Sequence, residues 1–169
     1  MPIPDFIVDL RALVGRHELW LPGVTAVVRR RTGAADEVSD VDEVLLVRRA
    51  DNGTWTPVTG IVDPREEPAV AAAREVREET GVTARVDRLA LVSALGPFTY
   101  PNGDRASYLD LAFACTWLEG EAHVGDDEST EVRWVRRDDL AAMDPPVDAE
   151  MVRRIDACLS GEREARFVR

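Results

Sequence analysis

The chain has 169 residues, 45% of them hydrophobic, which makes one domain with enough apolar mass for a core that needs neither disulfides nor a structural metal. Its 21 basic residues, all arginine, stand against 32 aspartates and glutamates, giving a formal net charge of −11. That balance excludes a binder of the nucleic-acid duplex backbone or of anionic membranes, and it admits polyanionic small molecules only where divalent cations mediate. Two cysteines, Cys115 and Cys158, lack zinc-ligand spacing and read as buried thiols of a cytoplasmic protein. Residues 1–13 lack the basic start and sustained apolar run of a signal peptide, and no apolar run approaches the roughly 20 residues that cross a membrane.

In chain order, Phe6, Ile7, Leu10, Leu13 and Val14 fall at helical spacing and predict a short amphipathic helix over 5–14. Pro22-Gly23 is expected to break the chain ahead of a strand over 24–31, and residues 33–42 read as a polar loop. Val44-Leu45-Leu46-Val47 is the pattern of a strand buried on both faces. Asp51-Asn52-Gly53 reads as a turn, followed by an extended stretch over 55–62. Over 64–81 the period becomes helical: Pro68 suits a first turn, Gly81 a stop, and Glu66 and Glu67 the positive end of the helix dipole. Strands are expected over 82–95, 109–117 and 132–135, with a turn over 100–104 and an acidic loop over 119–130. Helices over 138–143 and 148–159 flank Pro145-Pro146, so the whole reads as one α/β domain with a mixed sheet.

The helix over 68–80 carries the chemistry. Ala69, Ala72, Ala73 and Val76 make a small-residue stripe expected to lie on the sheet, and Glu75, Glu78 and Glu79 repeat the spacing on another face. Unit charges about 5 Å apart repel by roughly 3 kcal/mol at an effective dielectric constant near 20. Such a cluster is either a solvated acidic face or a cation site, and Arg74, four residues before Glu78, neutralises only part of it.

The punctuation around it is more specific. Gly60, five residues, Glu66, seven residues, then Arg74-Glu75-Val76-Arg77-Glu78-Glu79-Thr80-Gly81-Val82 resembles the Nudix box at all nine specified positions of 23 residues. That box reads Gly-x5-Glu-x7-Arg-Glu-U-x-Glu-Glu-x-Gly-U, with U aliphatic. Trp55, the strand 45–49 and the segment 131–135 resemble further landmarks, so the likeness runs over about residues 23–140. Val58, Thr59 and Arg65 depart from the common pattern outside the box positions, and bear on substrate and rate more than on reaction class.

The resemblance implies a Nudix-type α/β/α sandwich with a mixed β-sheet and a catalytic loop–helix–loop. It divides the chain into an N-terminal helical extension over 1–22, a hydrolase domain over 23–160 and a tail over 161–169. It implies Mg²⁺ or Mn²⁺ held chiefly by Glu78 and Glu79, with Glu75 and the Gly60 carbonyl contributing, a hard-oxygen set that suits these ions. Glu66 and Arg74 are then expected to brace the loop and orient the glutamates. The family also draws one more carboxylate from the loop before the last sheet strand. Glu128, six residues before Trp134, is the candidate for that metal ligand or general base, against the plainer reading of residues 126–128 as a solvated loop tip. His17 and His123 read as ordinary histidines.

The implied reaction is metal-dependent cleavage of the diphosphate in a nucleoside diphosphate linked to another group: a nucleoside triphosphate, ADP-ribose or a dinucleoside polyphosphate. Pro97, fifteen residues past the box, resembles an ADP-ribose marker, and Tyr100, eighteen past it, a dinucleoside polyphosphate marker; both also suit a turn. Trp20, Trp55, Phe98, Tyr100 and Tyr108 are candidates either for a wall against the nucleobase or for core packing. The alternative is a non-catalytic Nudix module that binds a nucleotide or regulates a partner, and the intact set of glutamates favours the enzyme. Assembly as a homodimer stays open.

Overall fold

Val44, Leu45, Leu46 and Val47 are all buried, and they alternate between two cores, Leu45 and Val47 on one side of the sheet, Val44 and Leu46 on the other. The computed structural model describes residues 4–32, 41–100 and 102–168; residues 33–40 of the expected polar loop and Pro101 of the expected turn lie outside them. The elements are α1 (Asp5–Val14), β1 (Leu19–Thr32), β2 (Val41–Arg49), β3 (Trp55–Thr56), β4 (Val58–Ile61), α2 (Pro68–Thr80), β5 (Thr83–Thr99), β6 (Arg105–Glu119), β7 (Ser129–Arg136), a 3₁₀ turn (Arg137–Ala142), α3 (Ala149–Leu159) and β8 (Arg166–Phe167).

The strands form one mixed sheet in the order β3-β2-β1-β6-β5-β8, with β4 added to β1 and β7 to β2. β1 and β6 run parallel at its centre, while the other edge of β1 pairs first with β4 over 23–26 and then with β2 over 29–32. Helix α2 covers one face through Ala71, Ala72 and Val76, and α3 covers the other through Ile155, Ala157 and Cys158. The result is the expected α/β/α sandwich. Helix α3 is held by a buried ion pair: Arg154 donates to Asp110 on β6 at 3.0 Å, and Thr25 of β1 donates to the other oxygen of the same carboxylate at 2.8 Å.

Two expectations are corrected. Pro22-Gly23 does not break the chain, because β1 runs through it from Leu19. The Pro22 carbonyl accepts from the Val62 N–H at 3.1 Å, and bare Gly23 leaves room for the Tyr108 ring, 3.3 Å from where a Cβ would stand. The inward face of α2 is also rotated from the expected stripe: Ala69 is exposed, while Ala71, Ala72, Glu75, Val76, Glu79 and Thr80 are buried. The rotation turns the ridge of Glu75 and Glu79 inward, Glu75 lying against Gly60 of β4.

Candidate active site

Helix α2 is set by local signals. Pro68 stands in its first turn, and Gly81 ends it in the left-handed conformation at φ 68°, its N–H donating to the Arg77 carbonyl at 3.0 Å. In the preceding loop Arg65 is the one residue other than glycine with positive φ (72°) among the described residues. That conformation costs an arginine about 1–2 kcal/mol, which accounts for the glycine common there in the family pattern.

Arg74 ties the loop to the helix. Its Nε and Nη2 donate to the two oxygens of Glu66, both at 2.9 Å, and Nη1 donates to Glu75 and to Glu78, both at 3.0 Å. Nη2 also reaches the Ile61 carbonyl at 3.3 Å, so the same guanidinium holds the end of β4 as well. The Glu66 carboxylate also accepts the Asp63 N–H at 3.1 Å. The bond from Arg74 holds the Glu66 carboxyl below its usual range, and the bond to Glu66 in turn raises Arg74.

Glu75 and Glu79 are each only 4% exposed, whereas Glu78 faces outward. Burial pushes the Glu75 carboxyl up to about 7; Arg74 opposes the shift, and Glu78 and Glu128 add to it. Glu79 is pushed up to about 8, first by burial and then by Glu75, Asp126 and Glu128, with Arg49 opposing the shift. The acidic loop is brought to the helix at its start, where the Gly125 N–H donates to the Glu79 carbonyl at 2.8 Å. Among the described residues no three carboxylates, histidines or cysteines stand in ready metal-cage geometry. The bonds from Arg74 draw Glu75 and Glu78 towards the guanidinium, so a cation has to compete for them.

Arg49, at the end of β2, is a charged neighbour of Glu79 that the sequence alone does not single out. It makes paired bonds to Asp51 at 2.9 and 2.8 Å, which raise its pKa, and it also feels Glu128 and Tyr100. In the sequence it is the second of two arginines that close a strand also carrying Asp42 and Glu43. His123 packs its ring over Gly81 and shares Nδ1 with the Glu121 carbonyl at 2.9 Å, while the His17 carbonyl accepts from Arg11 at 2.6 Å in the turn after α1.

The aromatic candidates separate. Trp55 is core, 2% exposed, with its Nε1 donating to the Asp144 carbonyl at 3.3 Å. Tyr100 and Tyr108 share a hydroxyl hydrogen bond of 2.5 Å, and Phe98 lies 6.0 Å from the Tyr108 ring, centroid to centroid. Tyr100 also closes the β5–β6 turn, its N–H donating to the Asp104 carbonyl at 2.9 Å. Trp20 is 61% exposed.

The NUDIX domain matches residues 20–155 of the chain. The chain belongs to the Nudix hydrolase family. A MutT-like protein of Streptomyces ambofaciens is 36% identical over 120 residues, 71% of each chain. The NAD-capped RNA hydrolase NudC of Salmonella heidelberg is 36% identical over 107 residues, 62% of this chain but only 38% of that protein, so the chain spans well under half the length of this relative. Among solved structures, a Nudix hydrolase from Nitrosomonas europaea superposes with a TM-score of 0.65 at 22% identity, covering 87% of this chain and 93% of that one, and shares the fold. Membership places the chain among hydrolases of pyrophosphate bonds in nucleotide-type compounds.

Within the Nudix frame, Gly60, Glu66 and Arg74 form one unit with Glu75. A Cβ on Gly60 would stand 2.2 Å from the Glu75 carboxylate, and Glu66 and Glu75 share the Arg74 guanidinium.

Proposed function

We propose that the chain is a divalent-metal-dependent pyrophosphohydrolase that cleaves the diphosphate of a nucleoside diphosphate linked to another group. The observation that carries this reading is the pair of buried glutamates, Glu75 and Glu79, raised by burial and by the neighbouring carboxylates of the acidic loop. Arg74, which bonds to Glu75, is already shared among Glu66, Glu75 and Glu78. The two glutamates thus favour added positive charge, of a kind that hard-oxygen donors satisfy with Mg²⁺ or Mn²⁺.

The residues that would hold the ion are Glu79, Glu78 and Glu75, with the Gly60 carbonyl. When bound, the metal supplies charge neutralisation for the diphosphate and a more acidic attacking water. Glu128, in place of ligating the ion, would serve as the general base whose carboxylate oxygen takes the proton of the attacking water. Glu66 and Arg74 keep the glutamates in place, because the guanidinium fixes Glu75 and Glu78 from one side. Exclusion of water around Glu75 and Glu79 strengthens every charge interaction at the diphosphate.

A panel of nucleotides tests the reading: nucleoside triphosphates, ADP-ribose, a dinucleoside polyphosphate, NAD⁺ and an NAD-capped RNA oligonucleotide, each with Mg²⁺, with Mn²⁺ and with EDTA. Metal-dependent release of a nucleoside monophosphate or pyrophosphate is expected from at least one class. Tight binding across the panel without turnover would make the chain a binding module instead.

A further inference from the structure

The last turn of an α-helix leaves carbonyls without partners inside the helix. In α2 two of these are taken by a distant part of the chain. The His123 N–H donates to the Thr80 carbonyl at 3.0 Å, and the Gly125 N–H donates to the Glu79 carbonyl at 2.8 Å. At Gly120 and Gly125 the two backbones meet so closely that no side chain fits. A Cβ on Gly125 would stand 2.0 Å from the Glu78 carbonyl oxygen, and one on Gly120 would stand 2.8 Å from the Gly81 carbonyl oxygen. The segment is also held from behind, where Trp117 Nε1 donates to the Gly120 carbonyl at 3.1 Å.

Three residues past Gly125 the chain is pinned again. The Glu128 carbonyl accepts from the Ala50 N–H at 2.7 Å, just beyond the end of β2, and the Glu128 N–H donates to the Asp126 carboxylate at 3.0 Å. Residues 126–128 therefore form a short span between two fixed points, one on the Glu79 turn of α2 and one beside β2. Its length sets where the Asp126 and Glu128 carboxylates stand relative to Glu79.

From these contacts we infer that segment 120–125 is a positioning element of the active site, docked on the C-terminus of α2 so that the acidic loop meets Glu79 in a fixed register, with Gly125 the residue whose missing side chain permits the docking. The inference rests on the proposed function and adds residues that do not touch substrate. Gly125 does not adopt the left-handed conformation, so an alanine there tests the close approach itself rather than backbone strain. Displacing reacting groups by about 1 Å costs on the order of a hundredfold in rate, so a methyl group wedged at this contact is expected to be felt in kcat.

The test compares Gly125→Ala, Glu128→Gln, their double variant, and a variant with one glycine inserted between Gly125 and Asp126. The insertion leaves the docking intact and lengthens the span, so it probes register even if Gly125→Ala fails to fold. Kinetics are measured on the substrate that the panel identifies, and Mn²⁺ binding to the substrate-free protein is read by electron paramagnetic resonance. Gly125→Ala and the insertion are each expected to lower kcat at least about tenfold with KM within about twofold, and to weaken Mn²⁺ binding. The double variant is expected to be no slower than Glu128→Gln, since both changes remove the same contribution. Wild-type kcat and Mn²⁺ affinity in the insertion variant, or losses that multiply in the double variant, would overturn the inference. If Glu79→Gln itself turns over normally, the proposed function has failed; if Glu79→Gln is inactive while the insertion behaves as wild type, the positioning inference alone has failed.

Discussion

Gly60 and Glu75 compete for the same space: a Cβ on the glycine would lie 2.2 Å from the glutamate's carboxylate oxygen. The contact joins β4 to α2 and explains why the helix is rolled to bury Glu75 rather than Ala69. It also explains why a glycine stands at the first position of the Nudix box in a strand, where glycine otherwise weakens structure.

Gly60→Ala should accordingly act on activity before stability. No positive φ is required at Gly60, and the obstructing atoms belong to the end of a long side chain that can swing aside. We expect kcat to fall by about a hundredfold, as for a misplaced reacting group, while the melting temperature moves by only a few degrees. Steady-state kinetics beside a circular dichroism melt checks this, and normal turnover would detach Glu75 from the site.

Arg74→Lys keeps the charge and loses the fork that grips Glu66 at two 2.9 Å contacts while reaching Glu75 and Glu78. With Arg74 and Glu66 both largely buried, the loss is expected to be about 1–3 kcal/mol in urea unfolding, together with weakened turnover. An unchanged unfolding midpoint would show that the loop is held by other contacts.

The raised Glu79 carboxyl gives a pH signature in metal-free buffer. With its pKa near 8 in the fold against an ordinary 4.5, the folded protein keeps a proton that the unfolded chain has released. Its contribution is fully present below about pH 4.5 and is lost as pH rises through about 8, by on the order of a few kcal/mol. Urea unfolding in EDTA should show stability falling across that window, Mg²⁺ should restore it at the alkaline end, and Glu79→Gln should shrink the fall to the part that Glu75, raised to about 7, still contributes. A wild-type protein equally stable at both ends would contradict the burial of an unneutralised carboxylate.

Within the acidic loop, Asp126 and Glu128 both act on Glu79, and Glu128 also acts on Glu75. Glu128→Gln is expected to lower kcat by orders of magnitude with little change in KM, Asp126→Asn less, and Asp127→Asn least. A reversal of Asp127 and Glu128 in single-turnover rates would move the base to Asp127.

Much of the fold is legible in the residues alone. Pro68 and Gly81 bracket α2 closely, and the run 44–47 announces a strand with both faces covered. The inward face of α2 is not legible, because Ala69, Ala71, Ala72 and Ala73 are equally apolar and the choice is made by Gly60 on another strand. The full length of β1 is hidden by Pro22-Gly23, whose tolerance depends on the neighbouring Val62 and Tyr108. The docking of segment 120–125 on α2 is made by main-chain groups, which leave no side-chain pattern beyond the separated glycines 81, 120 and 125.

Whether buried glutamates on α2 hold a divalent cation for diphosphate hydrolysis is decided by the metal-dependent turnover of Glu79→Gln. Removing one ligand from a site of this kind is expected to lower kcat by at least about a hundredfold at saturating Mg²⁺, with the fold intact and the metal-free protein at least as stable as wild type. Turnover within a few-fold of wild type, in a folded variant at the same Mg²⁺ concentration, would mean that Glu79 does not hold the cation.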